Sequence, residues 1–67
     1  MKNLEEIKKV LYKEKPLADK LYNEDNFEIY GCDTSLGRVI FRIPISESGD
    51  FKRQEPAQLL IRWINQN

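Results

Sequence analysis

The chain has 67 residues, with eleven Lys or Arg balanced by eleven Asp or Glu, no histidine and one cysteine. A chain this short reads as one domain, residues 1–67, and buries only about 60% of the surface its unfolded form exposes, so marginal stability is expected. The composition excludes an internal disulfide and a His/Cys zinc site, and zero net charge withholds the broad field typical of nucleic-acid and membrane-surface binders.

No apolar run approaches the length of a membrane span, and no apolar leader follows Met1. With Cys32 as a lone thiol, the expected location is the cytoplasm.

Asn3 is a capping residue with Glu6 three positions on, and Leu4, Ile7, Val10 and Leu11 recur at the spacing of one helical face. Residues 4–14 are therefore expected to form an amphipathic helix. Pro16 interrupts it. Leu17, Ala18 and Leu21, with Tyr22 at their margin, then read as a short second helix, either separate or kinked from the first. Asn23-Glu24-Asp25-Asn26 reads as a turn.

Residues 27–32 alternate, which assigns Phe27 and Ile29 to an inner face and Tyr30 to an outer one. Residues 33–37 read as a hairpin loop in which Gly37 supplies a positive φ. Residues 38–45 then alternate strictly. Val39, Phe41, Ile43 and Ile45 point one way, and Arg38, Ile40, Arg42 and Pro44 the other. Pro44 lacks a ladder donor, which places its end of the strand at an edge or past the pairing.

Residues 46–50 are loop by composition, with Phe51 as its anchor on the core. Pro56 is expected at the first position of a C-terminal helix. The stripe of that helix is Ala57, Leu60, Ile61 and Ile64, widened by Leu59 and Trp63. Gln58, Arg62 and Asn65 are its polar positions. So wide an apolar arc predicts burial on two sides. The fold class is α+β in the order helix, short helix, antiparallel β-hairpin, C-terminal helix.

Little in the chain carries chemistry. A nucleophilic cysteine needs a base or cation beside it, and Cys32 has no histidine to call on. Glu24, Asp25, Glu28 and Asp33 lack the alternation and central glycine of a calcium loop. The two glycines of residues 31–37 come without the Lys-Ser/Thr and following helix of a phosphate cradle. The order of a lysine-rich helix, Lys15-Pro16-Leu17 and Phe27-Glu28-Ile29-Tyr30-Gly31 resembles, over less than half the chain, the opening of minimal nucleotidyltransferase domains. Those domains continue with Gly-Ser and a pair of aspartates that bind metal. Here Cys32 follows Gly31 and residues 38–45 hold no Asp, so no activity is carried over. No enzyme, cofactor or metal is expected.

The residues assigned to the outer hairpin face are Tyr30, Arg38, Ile40 and Arg42. Two strands alone are marginal in water and leave an edge free. That face, with Trp63 on the C-terminal helix, is therefore expected to meet a protein partner or a second copy, through sheet edges or the last helix. An aromatic among arginines also suits single-stranded nucleic acid, which makes a nucleic-acid-binding domain the alternative. The bland account of Arg38 and Arg42 is pairing with Glu28 and other acids across the strands.

Overall fold

A computed structural model describes residues 3–51 and 54–64. Asn3 opens the first element as expected: its side-chain oxygen accepts from the Glu6 backbone N–H at 2.8 Å. Helix α1 runs Leu4–Glu14. It buries Ile7 and Leu11, leaves Leu4, Lys8 and Val10 half-buried, and turns Lys9 and Lys13 outward. Lys15 ends the helix in the left-handed region at φ 48°, with its N–H bonded to the Leu11 carbonyl. Pro16 then prevents any continuation.

The next element is a strand, not the expected short helix. Strand β1 spans Asp19–Glu24, β2 Phe27–Thr34 and β3 Gly37–Pro44. They form an antiparallel sheet in the order β1-β2-β3, so the fold is α+β with three strands instead of a bare hairpin. The physical reason lies in a bulge between Lys20 and Tyr22. One extra residue, Leu21, breaks the two-residue period and leaves Leu17, Ala18 and Leu21 at offsets that imitate a helical stripe. Asn23 and Glu24 belong to β1, so the turn is Asp25-Asn26 alone, with Asp25 in the left-handed region at φ 51°.

The second turn is equally tight. Thr34 pairs with Gly37, and the Thr34 hydroxyl donates to the Gly37 carbonyl at 2.7 Å and accepts from the Leu36 N–H at 3.1 Å. Gly37, at φ 107°, takes the positive angle expected of it.

This two-residue loop sets the register that decides the sheet faces. Tyr30 lies opposite Phe41, Cys32 opposite Val39 and Glu28 opposite Ile43, whereas Ile29 faces Arg42 and Phe27 faces Pro44. Directly opposed residues share a face. The inner face is therefore Tyr30, Cys32, Val39, Phe41 and Ile43. Phe27 and Ile29 are on the outer one, which reverses the faces expected for β2. Ile45, expected inward, follows the end of β3 and is 46% exposed.

Helix α1 and the C-terminal segment cover the inner face. Leu11, Phe41, Ile43 and Leu60 are completely buried there, joined by Ala18, Phe51 and Ala57. Burial of each large side chain contributes about 1.5–3 kcal/mol. Phe51 anchors its loop edge-on against Tyr30, the ring centroids 5.1 Å apart. The C-terminal segment Ala57–Trp63 is a 3-10 helix, not an α-helix, and Pro56 is its cap, not its first residue. With three residues per turn its apolar positions spread around the axis. Ala57 and Leu60 are buried, while Leu59 stays 52% exposed, so the expected burial on two sides is not met. Asn65, read as a polar helix position, lies outside the described residues.

Candidate interaction face

With α1 and the C-terminal 3-10 helix on the inner side, the outer face of the sheet carries no covering element among the described residues. Three of the side chains expected to form a binding surface meet there. Arg38, Ile40 and Arg42 alternate along β3 as the period of two requires. Tyr30 does not join them. It is 2% exposed on the inner face, and its hydroxyl donates to Glu28 at 3.1 Å. Trp63 is also elsewhere: it packs half-buried against the core from the helical side, with the Arg62 guanidinium 4.1 Å from its ring centroid.

The face has other members that the sequence reading missed. Tyr22 stands opposite Ile29 and Glu24 opposite Phe27, which places all four on this side. Leu21 reaches the same face over Gly31. A Cβ at Gly31 would lie 3.0 Å from Leu21 Cδ1 and 3.1 Å from Arg38 Nε. The missing side chain thus lets Leu21 from one edge and Arg38 from the other converge across the central strand. Arg42 crosses the same strand one step along. Its guanidinium lies 4.3 Å from the Phe27 ring centroid, and Nη2 is 4.0 Å from Glu24 on β1. Between these straps Ile29 is only 2% exposed although no helix of the described residues covers it. Long arginine stems cover apolar surface while their heads remain in water.

Both arginines pair with acids across the strands, as the bland account expects, but the acids are Asp33 and Glu24 and not Glu28. Arg38 pairs with Asp33 at 3.9 Å and Arg42 with Glu24, both exposed contacts of the kind worth about 0–1 kcal/mol. Glu28 is on the inner side with Lys20 at 3.4 Å. Burial pushes the Glu28 carboxyl up, but the hydrogen bonds from Tyr30 and Lys20 outweigh it and leave the group below the ordinary carboxylate range. Asp19, opposite Gly31, adds a further acid to the outer face, so Arg38 and Arg42 stand among Asp19, Glu24 and Asp33.

The edges of the sheet are less open than its face. Edge strand β1 carries charged residues and a bulge in its pairing with β2, and at its start Leu17 bridges Pro56. On the free side of β3, Phe41 bridges Ile64. Bulges, charges and covering segments all discourage edge pairing.

Cys32 is a core residue of the inner face. It is 3% exposed, and burial, with Asp33 adding to it, pushes its thiol up to about 11. Among the described residues no group of three or more His, Cys, Asp or Glu is placed to hold a metal ion. No helix of the described residues is long and apolar enough to cross a membrane. No protein-family model, curated protein or solved structure matches the chain.

Proposed function

We propose that this protein is a small non-catalytic protein-binding module of the cytoplasm and that the outer sheet face is its interface, with a second copy of the chain among its partners. The observation that carries this reading is the segregation of layers. α1 and the C-terminal 3-10 helix pack on one side, and Leu21, Tyr22, Ile40 and the two arginines are left on the other. A sheet with one bare apolar-and-arginine face has the residue types that interface cores favour. The mixture of Arg38 and Arg42 with Asp19, Glu24 and Asp33 gives the patch both signs, which suits a protein surface, including its own two-fold image.

The second reading is single-stranded nucleic acid stacked on Tyr22 and Phe27 with phosphates on Arg38 and Arg42. The position of the arginines beside two aromatics favours it, and the interleaved acids oppose it. Sedimentation equilibrium from 5 to about 500 μM, repeated with Ile40→Asp, tests the protein-binding reading. A concentration-dependent mass, or a specific partner captured from lysate, is expected for the parent chain and is lost in the variant. A monomer at every concentration with no captured partner would sink it. Retention of a labelled oligonucleotide at low salt, abolished by alanine at Arg38 and Arg42, would move the assignment to the second reading.

A further inference from the structure

On the helical side, away from the sheet face, α1 and the C-terminal 3-10 helix leave a groove of about 510 Å³. One wall is the row Leu4, Lys8, Tyr12, spaced four apart along α1. The other is the row Gln58, Ile61, Ile64, spaced three apart as a 3-10 turn requires. Eight residues at about 1.5 Å and six at about 2.0 Å both give about 12 Å. Each row therefore spans about the length of three or four residues of extended chain at about 3.3 Å each. Leu59 and Arg62 form the lip, and Tyr12 and Leu59 are 59% and 52% exposed.

The groove mixes apolar side chains with polar ones, and its charges are of one sign. Lys8 stands on one wall and Arg62 at the lip of the other, and no acid lines it among the described residues. Lys8 touches Glu5 only at 4.0 Å, with Glu5 77% exposed. Arg62 lies on Trp63 and has no carboxylate within 4.0 Å among the described residues. Glu55 belongs to a smaller adjoining hollow of about 200 Å³ beyond the lip. A third feature is chemical. Gln58 Oε1 is buried without a hydrogen-bond donor among the described residues, and a carboxamide both accepts from and donates to a peptide unit.

We infer that this groove binds a short peptide segment of another protein, an aliphatic side chain flanked by carboxylates. The aliphatic group seats between Tyr12, Leu59 and Ile61. The carboxylates meet Lys8 and Arg62, and a small rotation of Gln58 gives its amide a backbone partner. The site is independent of the sheet face, and the two are separable by mutation.

Selection of phage-displayed random heptapeptides on the immobilised chain, followed by fluorescence anisotropy of the enriched peptides, tests this. Enrichment of Asp or Glu next to Leu, Ile or Val is expected. Affinity should fall at least about tenfold in Lys8→Glu/Arg62→Glu and in Leu59→Ser, and change less than about twofold in Ile40→Asp. Arg62→Gln, which removes charge at an exposed position, serves where the double variant does not fold. No enrichment, enrichment without acids, binding that survives charge reversal, or binding that depends on Ile40 each overturns the proposal. So does a self-association abolished by Leu59→Ser, which would give the groove to a second copy.

Discussion

The Arg42 guanidinium carbon lies over the Phe27 ring, 4.3 Å from its centroid, and the side chain so helps to close the outer face of the sheet from within. Ile29, opposite Arg42 in the register, owes its burial on this side to side chains of the sheet itself. The contact should therefore matter for stability. Arg42→Ala is expected to cost about 1 kcal/mol, from the cation–π contact at about 0.5–1 kcal/mol and the lost cover over Ile29. Arg42→Lys keeps the charge but not the broad guanidinium over the ring and should recover less than half of that. Urea unfolding in low and high salt checks it. A loss abolished by salt would mean that the 4.0 Å pair with Glu24 is responsible instead.

Tyr30 reads as a surface residue in the sequence and is a core residue in the fold, and the two placements differ by several kcal/mol. An exposed tyrosine changed to alanine usually moves stability by no more than about 0.5 kcal/mol. Here Tyr30→Ala should cost about 3–5 kcal/mol, enough to unfold a domain of this size. Tyr30→Phe keeps the edge contact with Phe51 and loses the hydroxyl bond to Glu28, for about 1–2 kcal/mol. Circular dichroism during urea unfolding separates these outcomes. A neutral Tyr30→Ala would refute the β2–β3 register.

That register marks the limit of what the sequence makes legible. Helix α1 is legible because cap, apolar stripe and Pro16 all agree, and β3 because its alternation is unbroken from Arg38 to Pro44. The outward side of β3 is therefore also legible, with Arg38, Ile40 and Arg42. The faces of β2 are not, because they hang on the loop length. A loop of residues 33–37 pairs Cys32 with Arg38 and turns Tyr30 outward. The actual loop, Ser35-Leu36, pairs Cys32 with Val39 and turns it inward. One residue of slip exchanges the faces. Leu21 and Tyr22 escape the candidate face for a similar reason, since the bulge hides their strand. The loop signal is present: Thr34 ahead of Gly37 with two residues between them is a tight-turn pattern.

Cys32 should behave as a buried structural thiol. Held up to about 11, it is mostly protonated at pH 8, where an ordinary cysteine of pKa about 8.5 is about a quarter thiolate. Its reaction with a disulfide reagent at pH 8 is expected to be on the order of a hundredfold slower than that of a free thiol, and to reach the free rate in urea. The same shift makes stability depend on pH at the alkaline end. The unfolded thiol ionises first, so the stabilisation is complete below about pH 8.5 and is lost as pH rises towards 11. Cys32→Ala should flatten that alkaline decline. Fast labelling of the folded chain at pH 8 would contradict the inner placement of Cys32.

Glu14 ties the end of α1 to the β2–β3 turn. One carboxylate oxygen accepts the Ser35 N–H at 3.1 Å and the other accepts the Ser35 hydroxyl. These bonds, the hydroxyl first, hold the Glu14 carboxyl below its ordinary value of 4.5. A depressed folded value means stability that is present above the unfolded pKa and lost as pH falls through the folded one. Thermal melts from pH 7 to 3 should therefore show Glu14→Gln below the parent at neutral pH, with the two curves converging in acid. Ser35→Ala should behave similarly, since it removes the hydroxyl and leaves the backbone bond. The pair joins elements far apart in sequence, so its loss should loosen α1 from the sheet, and faster amide exchange at the C-terminal end of α1 would report it. A parent and a Glu14→Gln variant that stay equally far apart at every pH would show that Glu14 acts through packing and not through its charge.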